Sequence, residues 1–147
     1  PEAALGPAPT ALLVVGAHRS GQPLNGQLTA LGARYAETVR TAESYKLYAL
    51  DTAPPKPGLV RVEEDGEAVE GELWLLGAAA LGRFLAALPG PMTLGPVELA
   101  DGRTVVGFGC EPLALAGAPD ITHHGSWPAY LAAGAAADAA GYSAGAV

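Results

Sequence analysis

The sequence predicts an α+β fold: a small mixed, mainly antiparallel β-barrel of six or seven strands with one inserted helix. Three observations point there. Short apolar runs of strand length recur along the 147 residues, separated by Pro, Gly and Asp-Gly turn signals. One segment, Ala78 to Leu88, carries a clear helical period: Leu81, Phe84, Leu85 and Leu88 share one face, and Pro89-Gly90 ends it. Long helices do not alternate with strands, and no Gly-x-Gly-x-x-Gly follows the first apolar run, which excludes a Rossmann arrangement.

Taken in order, residues 1–10 are rich in proline and alanine and read as a disordered lead-in or linker remnant. Ala11 to Ala17 has strand length, and Asn25-Gly26 signals a turn before a helical turn over Gln27 to Ala33. Arg34 to Thr41 and Tyr45 to Leu50 suit strands. Pro54-Pro55-Lys56-Pro57-Gly58 is a stiff loop, and strand character resumes over Leu59 to Val62. Glu63-Glu64-Asp65-Gly66 reads as a hairpin turn into a strand from Val69 to Leu76. After the helix, Met92 to Leu99 and Arg103 to Cys110 form a second hairpin around Asp101-Gly102. Ser126 is placed to cap a short helix near Tyr130 with Pro128 in its first turn. The expected division is a single domain over residues 11–133, followed by a flexible Ala/Gly-rich tail over 134–147.

Composition narrows the function classes. Half of the residues are hydrophobic, much of that alanine, and no apolar run reaches the roughly 18–20 residues that span a bilayer. A net charge of −7 and a pI near 4.8 argue against nucleic acid or an anionic membrane as partner. No basic and then apolar leader opens the sequence, and a lone cysteine, Cys110, fits a reducing compartment, so a cytoplasmic location is expected.

Chemistry concentrates in Val14 to Leu28, where an apolar run gives way to a loop of ionisable and amide side chains. His18 is the sharpest candidate, because an imidazole gives or takes a proton near neutrality; the same residue also suits a solvent-facing turn. Asn25 and Gln27 offer amide groups that orient a carboxylate, or serve only the turn and helix start. Tyr45 shares a strand face with Leu47, while Lys46 and Tyr48 share the other. Lys56 lies in the proline-rich loop, where solvation is the usual fate of a lysine. A buried Glu72 would suit a general base, whereas on a sheet surface it would be solvated. His123-His124 lacks ligand spacing, since neighbours in extended chain point apart, and no metal or other cofactor is expected.

Six ordered blocks together resemble the C-terminal domain of allophanate hydrolase. They are Gly16-Ala17-His18-x-Ser20-Gly21-x-Pro23-Leu24-Asn25-x-Gln27-Leu28; Thr41-Ala42-x-x-Tyr45-x-Leu47-x-Ala49-Leu50; Lys56 to Val62; Gly71-Glu72-Leu73-Trp74; Gly107-Phe108-x-Cys110-Glu111; and Asp120 to Leu131. The resemblance implies the fold of the γ-glutamyl cyclotransferases, whose motif at the first strand's end aligns with Val15-Gly16-Ala17-His18. Their catalytic glutamate would fall near Ala87 to Pro91, where no acid stands, so cyclotransferase activity is a distant alternative resting on Glu72 or Glu98. In the allophanate hydrolase family an amidase domain forms N-carboxycarbamate, and the C-terminal domain promotes its breakdown through a histidine. The resemblance thus implies a small anionic substrate, His18 as the catalytic residue, and Gly16, Ala17, Asn25, Gln27 and Tyr45 around the substrate. It also implies an excised domain or a stand-alone relative. The other reading is a non-catalytic module that docks an amidase or forms a homodimer through an apolar patch near Trp127 and Tyr130.

Overall fold

The computed structural model describes residues 5–6 and 8–145. Part of the expected lead-in, residues 1–4 and 7, lies outside them. Seven strands form in order: β1 (Thr10–Val14), β2 (Arg34–Arg40), β3 (Tyr45–Leu50), β4 (Lys56–Arg61), β5 (Glu70–Leu76), β6 (Met92–Glu98) and β7 (Thr104–Cys110). Helix α1 (Asn25–Ala30) follows β1, α2 (Ala78–Ala87) follows β5, and α3 (Trp127–Gly145) closes the described chain. Two 3-10 turns, Pro112–Leu115 and Thr122–His124, precede α3.

Five strands make one sheet in the order β2-β5-β1-β7-β6, antiparallel except for the β1–β7 pair, while β3 and β4 form a separate antiparallel ribbon. The mixed, mainly antiparallel α+β class is therefore as expected, but the sheet is open and does not close into a barrel. Its two edges meet at one end only. There Ala42 N–H donates to the Glu98 carbonyl and Ala100 N–H to the Arg40 carbonyl, both at 2.9 Å. Elsewhere β2 is exposed along nearly its whole length and carries Arg34, Glu37 and Arg40, side chains that keep an edge from further pairing. A bulge between Tyr35 and Glu37 bends the strand further.

Strand β1 is the hinge of the architecture. Its alternation sends Leu12 and Val14 to one face of the sheet and Leu13 to the other, with Val15 continuing the pattern. Leu13 and Val15 join Tyr45, Leu47, Leu59, Leu73, Leu99 and Trp127 in one core. Leu12 and Val14 join Leu28, Trp74, Phe84, Met92 and Phe108 in the second. In α2 only Phe84 is buried, and Leu85, expected on the core face, is 52% exposed. The short helix expected near Tyr130 extends to Gly145, and the Ser126 hydroxyl accepts the Ala129 N–H at 3.2 Å as an N-cap should.

Two local readings need correction. Glu63 to Gly66 does turn, with Asp65 at φ 60°, but it does not join a hairpin. Strand β4 pairs with β3, whereas β5 pairs with β1 and β2. The turn instead folds back on the start of β3, where Val62 N–H bonds to Ser44 and Glu67 N–H to Tyr45, each at 2.8 Å. A Cβ on Gly66 would lie 2.6 Å from the Glu43 carbonyl oxygen, so that close approach requires glycine. The proline-rich loop is also shorter than expected: β4 starts at Lys56 and includes Pro57, tolerated because this ribbon strand has a free side.

Candidate functional site

The loop after β1 is wound tightly on itself. Arg19 N–H bonds to the Gly16 carbonyl at 3.0 Å, and Leu24 N–H to the Ala17 carbonyl at 2.8 Å. The Asn25 amide donates to the His18 carbonyl at 2.8 Å. A buried charge cluster pins the outer turn to β5. Glu72 Oε1 accepts the Ser20 N–H at 2.8 Å, the Ser20 hydroxyl at 3.1 Å and the Trp74 indole N–H at 3.1 Å. Arg19 pairs with Glu70 at 2.7 Å and with Glu72 Oε2 at 3.6 Å.

These anchors turn His18 inward, and it is 4% exposed. Its ring stacks on Phe108, with centroids 5.0 Å apart, and meets Phe84 edge-on at 5.2 Å. Nε2 lies 2.9 Å from Gln27 Oε1, so with the amide oxygen as acceptor Nε2 carries the proton and Nδ1 keeps its lone pair. The imidazole pKa is held below the ordinary value. Removal from water between two phenyl rings is the main cause, the Gln27 hydrogen bond opposes it, and the positive charge of Lys56 adds to it. His18 is therefore mostly neutral at pH 7, able to accept at one nitrogen and donate at the other.

His18 lines a narrow cavity of about 10 Å³, room for roughly one water, with Gly16, Ala17, Lys56, Met92 and Phe108. Gly16 is required for space, because a Cβ there would meet Pro57 Cδ at 2.2 Å. Gln27 and Phe84 reach from His18 to a larger groove of about 460 Å³, which Arg83 and Leu88 also line.

The expected site residues thus separate into three groups. His18, Gly16 and Ala17 line one cavity, and Gln27 holds the imidazole. Asn25 fixes the loop by its amide bond to the backbone. Tyr45 is not brought to His18: it packs in the opposite core, and its hydroxyl accepts the Glu98 N–H at 2.9 Å. Neither Glu72 nor Glu98 lines the cavity, and Glu72 is committed to its donors. Lys56 is the residue that sequence reasoning undervalued. It is 6% exposed, because β4 begins at Lys56, three residues before the expected Leu59, and carries the lysine inward.

The rings of His123 and His124 lie side by side, centroids 4.2 Å apart and tilted 39°, on a 3-10 turn and not the extended chain expected. Among the described residues no three His, Cys, Asp or Glu side chains are grouped to hold a metal, and no helix is long and apolar enough to cross a membrane.

The fold defines a class first. An aig2-like protein from Mus musculus superposes with a TM-score of 0.58 at 22% identity, covering 81% of this chain and 88% of that one, a likeness of the cyclotransferase-like fold alone. The family described as allophanate hydrolase C-terminal domain matches residues 10–132, and the chain belongs to that family. A urea amidolyase from Lachancea kluyveri is 40% identical over 125 residues, 82% of this chain and 7% of that protein. The chain thus spans less than a tenth of the curated relatives it matches. Kluyveromyces lactis allophanate hydrolase superposes with a TM-score of 0.81 at 38% identity, covering 84% of this chain and 21% of that one. A uropathogenic E. coli-specific protein superposes with a TM-score of 0.80 at 32% identity, covering 85% of this chain and 97% of that one.

Proposed function

We propose that this domain promotes breakdown of N-carboxycarbamate, or a similar small carboxylated amide, in urea and allophanate nitrogen metabolism. The observation that carries the reading is His18 itself. It is an imidazole buried between two rings, fixed by Gln27 and bordering a cavity next to a lysine, in a member of the allophanate hydrolase C-terminal family. In the reaction, a C–N bond of the dianion breaks, its electron pair stays on nitrogen, and one carboxylate leaves as CO2. The nitrogen takes up one proton, and the second product is carbamate. Electrostatics couple that proton to the substrate. A dianion beside His18 opposes the effect of Lys56 and favours the imidazolium, which then gives its proton to the departing nitrogen. Asn25 and Gln27 act by holding the loop and the ring.

The test generates the intermediate with a separate amidase and follows CO2 release with wild type, His18→Ala and no protein. Faster release with wild type alone supports the reading, and equal release in all three refutes it. A second reading, docking of an amidase, is favoured by an apolar groove of about 460 Å³ between α2 and the β6–β7 hairpin, where Leu85 is exposed. The groove lies there and not near Trp127, which is buried in the core. Cofactor-free catalysis, a cytoplasmic location, a homodimer and the single domain with a flexible tail belong to the same proposal.

A further inference from the structure

Arg83 makes no ion pair within the described residues, on a chain of net charge −7. Other cations that line grooves are answered: Arg61 by Glu98 at 3.8 Å, and Arg40 by the Ala68 carbonyl at 3.5 Å beside Glu43 and Glu67. Arg83 stands on the α2 face that carries Ala87 one turn on, in the groove of about 460 Å³ between α1 and α2. Among the groove's described lining residues there is no carboxylate. Leu31, Leu88 and Pro89 make its walls apolar, and Gln27 adds one amide. The Gln27 Oε1 is taken by His18 Nε2 at 2.9 Å, so the NH2 is the part of the amide left to donate. A concave apolar groove with a guanidinium, an amide NH2 and no acid is complementary to a small anion.

From this juxtaposition we infer that the α1–α2 groove captures the substrate dianion on its way to His18, and that Arg83 is the residue that selects for its charge. The inference rests on the proposed function for the identity of the substrate and goes beyond it in naming the groove and the cation. Size requires such a place: the cavity of about 10 Å³ beside His18 has room for roughly one water and not for a dianion, whereas the groove holds one whole. Charge requires it too, because the field of an acidic protein repels a dianion unless a local cation outweighs it on the approach. A carboxylate on the Arg83 fork leaves the second carboxylate to the Gln27 NH2, one side chain away from His18 Nε2. Gln27 is exposed and joined to the ring by one hydrogen bond, so its displacement by the incoming anion costs little.

The probe is malonate, a stable dianion with a methylene between its carboxylates, titrated into the 147-residue protein with the neutral malonamide as control. NMR follows the Gln27 side-chain NH2 and the Ala87 methyl, both of which line the groove. Saturable shifts with malonate and none with malonamide are expected. Arg83→Gln should weaken malonate binding about 3- to 10-fold in dilute buffer, with Arg83→Lys retaining most of the affinity, and the difference should close as salt approaches roughly 1 M. In CO2 release the same variant should raise KM by the same factor. The exposed position and the helix preference of glutamine keep the variant folded. Absence of malonate binding to wild type, an equal response to malonamide, or unchanged affinity in Arg83→Gln each overturns the inference. Any of these results alongside CO2 release that still depends on His18 removes the groove and leaves the proposed reaction. Arg83-dependent malonate binding with CO2 release no faster than without protein refutes the proposed reaction and leaves the groove standing as an anion site.

Discussion

Replacing Glu72 by alanine should cost this fold more than any other single carboxylate. Its Oε1 accepts three hydrogen bonds, from Ser20 N–H, Ser20 Oγ and the Trp74 indole, and its Oε2 faces Arg19. Removal leaves the Trp74 indole N–H without an acceptor at a buried position, at about 1–3 kcal/mol, while the N–H of the exposed Ser20 turns to water. The Ser20 hydroxyl rotates to another partner at little cost. Arg19 retains Glu70 at 2.7 Å but loses the charge beneath it, and its Nε already lacks a hydrogen bond. The sum is about 2–4 kcal/mol, below the full cost of deleting one partner of a buried ion pair because Arg19 keeps Glu70. With a urea slope of about 2 kcal/mol per M, the unfolding midpoint should fall by about 1–2 M at unchanged slope. Circular dichroism is the suitable signal, because Trp74 fluorescence changes with the substitution itself. Glu70→Ala is the control, since that side chain is 37% exposed and its loss should cost about 1 kcal/mol or less. A midpoint shift for Glu72→Ala no larger than for Glu70→Ala would refute the assignment of Glu72 as the loop's anchor.

Gly16→Ala forces a Cβ to within 2.2 Å of a rigid Pro57 ring carbon, and should cost about 1–3 kcal/mol by overpacking, read as a lower urea midpoint. A neutral midpoint would mean that β4 shifts freely, and with it Lys56. For His18 the folded pKa lies below the unfolded one. As pH falls through about 6.5 the unfolded chain takes up a proton that the folded chain resists, so stability declines toward acid. Stability measured from pH 7.5 to 5 should therefore fall more steeply for wild type than for His18→Gln, and parallel curves would contradict the burial of the ring.

Much of the fold was legible because most of its signals are local. The Asp101-Gly102 hairpin, the Ser126 cap and the segments of the strands follow from residues close in sequence, where turn chemistry and alternation act. What was not legible is pairing. Asp65-Gly66 turns the chain as its residues demand, but nothing near it says that β4 pairs with β3 and not with β5. The same limit governs the site. His18 stood out as the ionisable residue after an apolar strand, and Gln27 sits one helical turn beyond the loop that holds it. Tyr45 carried the same kind of polar signal, yet its strand belongs to the opposite core. Lys56 looked like a solvated loop lysine because a run of prolines hides the start of an inward-facing strand. The helix stripe overcounted by one residue: Phe84 is buried and Leu81 and Leu88 pack against the same core half-buried, whereas Leu85 stays exposed.

The alternation of β1 decides which residues are able to act together. Leu12 and Val14 face the core that receives Phe84, Met92 and Phe108, and the chain leaves β1 directly into the loop that turns His18 toward those rings. Around the cavity and its imidazole, Gln27 comes from α1, Lys56 from β4, Phe84 from α2, Met92 from β6 and Phe108 from β7, so the site assembles only when all these elements are docked. Two kinds of lesion should therefore be distinguishable. Truncation of Phe84 or Phe108 removes packing and the desolvation of His18 together, lowering stability by about 3–5 kcal/mol and letting the imidazole pKa rise. Loss of the Lys56 charge also raises the His18 pKa, but deletes no buried partner, since none is present in the described structure. Stability and imidazole titration should thus move together in the phenylalanine variants and come apart in Lys56→Met. A Lys56→Met protein as destabilised as Phe108→Ala would show that the lysine is held by the fold.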